Sequence, residues 1–164
     1  MEAFRAAACG TVAKTDPQDS LRYLPNWMHA QDTVGVMENL CCQWLPRAVW
    51  ERMEQELGED TALRFCCLLA LLHDIGKQTA LFQTGIQMQL ADYALCTLEV
   101  PRDHEFYLGH NVPHARAGEA ILLKYGFPDS FAAIIGAHHG KPQDGGADIV
   151  FEESPRCFYG TNRP

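Results

Sequence analysis

The sequence predicts an all-α fold, a compact helical bundle, and three observations support it. Apolar residues recur at steps of three and four along most of the chain. Glycine and proline fall where those runs stop. No stretch alternates apolar and polar residues for more than a few positions.

Taken in order, the segment from His29 to Leu45 places Ala30, Val34, Met37, Cys41 and Trp44 on one helix face. Pro46 to Leu57 follows with Val49, Trp50, Met53 and Leu57, and Gly58 supplies a C-terminal stop. Asp60 or Thr61 is placed to cap the next helix, in which every residue from Phe65 to Leu72 is apolar. A helix apolar nearly all round belongs in the middle of a domain, and Gly76 is placed to end it. Residues 79–95 are weakly helical, and 96–113 read as a long loop of the kind that is usually functional. The stretch "HARAGEAILLKYGFP" predicts a helix opening near Pro113 and stopped by Gly126 and Pro128. "DSFAAIIGAHHG" predicts a second, mostly apolar helix stopped by Gly140. The tail from Lys141 is turn-rich and shows no clear element, and no internal repeat is present.

With 164 residues, the chain is sized for one domain with a real core. Its formal charge of −8 gives no electrostatic basis for wrapping duplex nucleic acid, so any such contact must be local. No apolar run approaches the roughly 20 residues of a membrane span, and Glu2 and Gly10 interrupt what a signal peptide would need. The expectation is a cytoplasmic protein with no membrane partner. Seven cysteines without a CxxC pair, two adjacent pairs of them inside helical patterns, read as reduced core thiols rather than a thiolate zinc site.

Two predicted helices end alike, one with His73 and Asp74 before Gly76, the other with His138 and His139 before Gly140. A helix C-terminus carries partial negative charge, so Asp74 there is unfavourable without a cation beside it, and burial sharpens the conflict. A paired base, a protonated acid or a metal resolves it, and a hydrogen-bonded cap is the plainer reading of the His-Asp pair. His73 and Asp74 are about 100° apart on a helix, so they can straddle an ion rather than point along one line at it. His138 and His139 can close round the same place, and His29 and His114 stand at or near helix starts. Mixed imidazole and carboxylate donors suit one or two divalent first-row ions (Mn, Fe, Co, Ni or Zn) better than Ca or Mg. His104 and His110 read as loop residues outside this set, and Lys77 as a cation complementing the helix end.

That ordered set resembles the HD superfamily of metal-dependent phosphohydrolases. Within it, the chain is most similar to the HD nuclease domain of the CRISPR-associated type I nuclease-helicase. The stretches that carry the resemblance are "WMHAQDTVGV" with His29 and Asp32, "LLALLHDIGKQTALFQ" with His73, Asp74 and Lys77, "HARAGEA" with His114, and "IIGAHHGKP" with His138 and His139. The resemblance implies a helical HD-domain bundle with its metal site between central helices, and hydrolysis of single-stranded DNA in antiviral CRISPR interference. It also implies partnership with a helicase domain or subunit and with a crRNA-guided surveillance complex.

By the same resemblance, His29, His73 and Asp74 hold one ion. Asp74 bridges to a second, held by His114, His138 and His139, and Lys77 meets a phosphate; Asp74 and Lys77 are then the catalytic pair. Residues 1–164 form a single HD nuclease domain with its core in 27–142. The family's last acidic ligand lies further downstream, and Asp144 and Asp148 follow His139 too closely to replace it, so the expectation is either an incomplete first metal site or a chain truncated at its C-terminus. There is no GxxxxGK[ST] phosphate loop, so unwinding would come from elsewhere. Two other readings stand beside this one: an HD phosphohydrolase of nucleotides or small phosphate esters, and a non-catalytic HD binding module.

Overall fold

In a computed structural model that describes residues 10–90, 104–142 and 145–159, helices dominate as the periodicity predicts, but the first element is a hairpin. Strands β1 (Val12–Asp16) and β2 (Asp19–Pro25) pair antiparallel across Pro17 and Gln18. The Asp16 carboxylate accepts the Gln18 N–H at 2.9 Å, an aspartate-closed turn of a familiar kind. The register slips twice, between Val12 and Lys14 and between Thr15 and Asp16. Each slip moves subsequent side chains to the other face, which explains why no clean alternation was visible in the sequence.

Helix α1 (Asn26–Asn39) runs on into a π-helical turn at Leu40–Trp44, closed by Leu45 N–H donating to Leu40 O at 2.9 Å. The wider turn shifts the later residues out of the predicted face. Cys41 stays buried, but Trp44 is 78% exposed. Helix α2 (Arg47–Leu57) follows, then Gly58 at φ 86°, then α3 (Glu59–Leu72). No side chain caps α3, so Asp60 and Thr61 lie inside its first turn rather than at the cap.

Helix α3 is not the central helix that its composition suggested. It buries only Ala62, Cys66 and Ala70 and leaves Leu71 49% exposed. Composition reveals how apolar a helix is, but not which faces its neighbours reach. The central element is α6 (His114–Lys124), with Ala115, Ala117, Gly118, Ala120 and Leu122 buried. One side joins Leu81, Phe106, Val150, Phe151 and Phe158; the other joins Phe131, Ala132 and Ile135, with Phe65, Leu69 and Leu72 of α3 against them. Small residues let α6 be approached from both sides.

Between α3 and α6 the chain makes a 3-10 turn (Ile75–Gln78) and helix α4 (Ala80–Gln87), buried along most of its length. Helix α5 (His104–Gly109) occupies part of the stretch expected to be loop, while 91–103 lie outside the described residues. Helix α7 (Asp129–Gly136) precedes the second histidine pair. The tail also folds: α8 (Ala147–Glu153) and α9 (Pro155–Tyr159) supply Val150, Phe151, Cys157 and Phe158 to the core. Their shortness hid them, since seven and five residues span too few turns for a period to show. Among the described residues no single helix is long and apolar enough to cross a membrane. The described cysteines, Cys41, Cys42, Cys66, Cys67 and Cys157, are all free.

Gly76 does not end α3. The helix stops at Leu72, and Gly76 lies in the 3-10 turn with an ordinary negative φ. Its role is close approach: a Cβ there would land on the His114 carbonyl oxygen and 2.7 Å from the Gly118 nitrogen. Backbone cannot swing away as a flexible side chain can. Gly76→Ala should therefore destabilise the chain by about 1–3 kcal/mol or more, as overpacking does. Gly35→Ala, in α1 with nothing within 4 Å of the added methyl, should stabilise it by about 0.5–1 kcal/mol. Urea denaturation of the two variants measures both.

Candidate metal centre

The end of α3 sets the geometry of the site. His73 is the cap residue and Asp74 departs from helical backbone (φ −106°, ψ 20°), which turns its carboxylate inward to 5% exposure. His29 is in the first turn of α1, and His114 opens α6 directly after Pro113. His138 and His139 sit in the turn beyond α7 rather than on the helix, ahead of Gly140 at φ 84°. The six predicted ligands converge from four places in the chain.

Asp74 is the point of convergence, and its two oxygens face different partners. Oδ2 lies 2.8 Å from His29 Nε2, 3.0 Å from His73 Nε2 and 2.6 Å from Lys77 Nζ. Oδ1 lies 3.3 Å from His114 Nε2 and 3.5 Å from His138 Nε2. His139 is one step removed, its Nε2 2.9 Å from His114 Nε2. Burial raises the Asp74 pKa, but hydrogen bonding to His114, His138, His73 and Lys77 outweighs it and holds the carboxyl well below the usual range. Asp74 is therefore an anion, and anions at buried helix ends need cations.

The tautomers show whether the imidazoles fit a metal. His73 Nδ1 donates to Ala70 O at 2.7 Å and His138 Nδ1 to Ile135 O at 2.6 Å. In the neutral ring the other nitrogen, Nε2, is then a lone pair, and in both residues it faces the Asp74 carboxylate. His138 Nε2 is itself buried, and its 3.5 Å approach to Asp74 Oδ1 is long for a hydrogen bond. Lone pairs aimed at a carboxylate repel unless positive charge stands between them. A backbone carbonyl holding Nδ1–H is also the usual way in which a ligating histidine is oriented. The donors form two groups, His29–His73–Asp74 and His114–His138–His139, in each of which one ligand atom per residue lies within 4.8 Å of the others. Both groups could hold a divalent ion.

Attraction to Asp74 raises the pKa of His138 despite burial, whereas burial, the largest influence, lowers those of His29 and His139. Lys77 is buried and spends its charge on Asp74, so it is not the solvated helix-end cation its position suggested. Its ammonium also lies 5.8 Å from the centre of the Phe82 ring, which stands 5.5 Å from that of His114.

The other residues weighed in the sequence fall elsewhere. Asp32 is exposed, on the outer side of α1. His110 bonds Phe106 O at 2.8 Å, just past α5. His104 is helical rather than in a loop, as the first residue of α5. Asp148 lines a separate cavity with Glu119 and Asp129, and Asp144 lies outside the described residues. Two residues near the centre were not singled out by sequence reasoning. Lys14, on the hairpin, lies close enough to lower the pKa of His29, and no sequence signal pointed to it because the hairpin itself was missed. Gln83 was quoted only as the end of "ALFQ", although a glutamine among the apolar positions of a buried helix is a signal in itself.

Comparison with known proteins assigns the family. Residues 13–155 match the family described as "Cas3, HD domain". The chain is 28% identical over 151 residues to a protein of Streptococcus thermophilus named CRISPR-associated nuclease/helicase Cas3, an alignment covering 80% of this chain and 16% of that protein. The chain thus corresponds to under a fifth of that relative's length. No solved structure matches. With most of its length accounted for by one family, the chain belongs to the Cas3 HD-domain family of CRISPR-associated nucleases.

Proposed function

We propose that this chain is a metal-dependent deoxyribonuclease that cuts single-stranded DNA in type I CRISPR interference. The observation that carries the reading is the division of Asp74: one oxygen faces His29 and His73, the other His114 and His138. A carboxylate shared in this way suits two ions a short distance apart. On this reading His29, His73 and Asp74 hold one divalent transition-metal ion, and Asp74, His114, His138 and His139 hold the other. Bound there, such ions would supply an activated water and offset charge on the phosphoryl oxygens.

The chain's own residues do the remaining work. Asp74 fixes the two donor groups relative to each other. Carbonyl contacts at Ala70 and Ile135 keep His73 and His138 in the tautomer that presents Nε2. Lys77 Nζ, 2.6 Å from Asp74 Oδ2, is the cation of this chain that would meet a phosphate oxygen of the strand. Apart from His139, which is exposed, the ligands are recessed, with side-chain exposures of 6% for Asp74, 14% for His29 and 13% for His138. A duplex, stiff over about 150 base pairs, cannot easily bend a phosphate into such a recess, whereas a single strand can.

The chain acts as one HD nuclease domain with its core in residues 27–142, in the cytoplasm. The name of the Streptococcus thermophilus relative, a nuclease/helicase, supports a helicase domain or subunit as its partner; on the same reading a crRNA-guided surveillance complex exposes the strand. The net charge of −8 would suit small phosphate esters as well, so the substrate has to be tested directly.

With Mn, Co or Ni, the purified chain should degrade linear single-stranded DNA, leave duplex DNA and mononucleotides largely intact, and lose activity on chelation; gel assays and nucleotide release measure this. Turnover of mononucleotides without DNA cleavage would favour the small-ester reading. No bound metal in elemental analysis and no phosphoester cut would favour the binding module. Asp74→Ala should reduce cleavage to background and lower the metal content per chain. Lys77→Ala should lower kcat by about 100-fold, the scale of losing one charge-stabilising donor, while metal content stays within about twofold of the parent because Lys77 is not a ligand.

A further inference from the structure

We propose that Gln83 is the positioning residue that brings His29 to Asp74, and that it serves one half of the metal centre and not the other. Gln83 is fully buried on α4. Its Oε1 accepts the Val12 N–H at 3.1 Å, and its Nε2 donates to Val12 O at 2.9 Å and to Lys77 O at 2.6 Å. One side-chain amide thus joins the start of the hairpin to the 3-10 turn. A buried amide bonded in this way is costly to leave incomplete, so both segments are tied to it.

From each end of that clamp the connections lead to the centre. Beyond Lys77 the turn is closed by Lys77 N–H on Asp74 O at 2.9 Å, and Lys77 Nζ donates to Asp74 Oδ2. Next to Val12, Thr11 O accepts the N–H of Asn26 at 2.8 Å. Asn26 begins α1, and His29 stands one turn further on. The 2.8 Å approach of His29 Nε2 to Asp74 Oδ2 therefore closes a ring whose far side is the Gln83 amide.

The three-histidine half is anchored differently. His114 is fixed by the close packing of Gly76 against α6, and Gly118 of α6 meets Ile135 of α7, just before His138 and His139. None of these contacts passes through Gln83.

The test uses the full chain, metal-free and labelled with ¹⁵N in its imidazoles, as the parent, Gln83→Met and Gln83→Glu. Methionine keeps the length and loses the bonds to Val12 and Lys77. Glutamate keeps the volume and, when ionised, loses both donors; it serves if the first variant fails to fold. In the folded variant the His29 ring signals should shift as the Asp74 contact loosens, while those of His138 and His139 stay in place. Unchanged His29 signals, or signals of all three rings moving together, would overturn the proposal and leave Gln83 as a general packing residue. A second arm rests on the metal reading above: titration with Mn²⁺ alone should show one of two binding events weakened by about 10–100-fold, the usual effect of losing a group that orients a ligand, with the other within about threefold. If the parent takes up no Mn²⁺ and cuts no DNA, the nuclease reading falls, and the ring signals still decide the role of Gln83.

Discussion

A carboxylate buried where a helix ends is the constraint on which this structure depends. Asp74 stands at the negative end of α3 with almost no water, and its charge must be met by neighbours. Lys77 meets part of it three residues along the same segment; the rest is met by imidazoles that the chain brings from α1, from the start of α6 and from the turn after α7. The order of helices, the glycine at position 76 and the small residues of α6 all serve that convergence. A buried anion of this kind is poor evidence for stability, since apolar residues would fill the space more favourably. It is better evidence for chemistry.

The two oxygens of that carboxylate divide the site, and the division follows the architecture. On one side are the hairpin, α1 and the turn after α3, and the hairpin is joined to that turn by polar bonds through Gln83. On the other are α6 and α7, held by close backbone and aliphatic packing. The shared-carboxylate geometry lies within residues 13–155, the stretch that the family match covers.

Most of the site could be read from the sequence because its signals are local. "HDIGK" and "HHG" place donors beside each other, and each follows an apolar helix whose period is plain. His29 and His114 were recoverable because both fall within a turn of a helix start. What was not legible depended on which segments meet. The hairpin was hidden by two register slips, α8 and α9 by brevity, and the exposed side of α3 by the absence of any sequence measure of which neighbours cover a face. Gly76 looked like a helix stop because glycines often are, but its negative φ and its contact with α6 show a different use. Gln83 and Lys14 act across gaps of 71 and 15 residues, separations at which no periodicity speaks.

The contact between position 76 and the start of α6 has a wider meaning. It is main chain resting on main chain, so the reach from the Asp74 turn to His114 is set by atoms that every residue possesses. A gauge built in that way ignores the identity of the side chains around it. Substitution away from the contact leaves that distance alone so long as position 76 stays bare of a β-carbon, and a chain that shares little more than a quarter of its residues with a relative need not have lost this spacing.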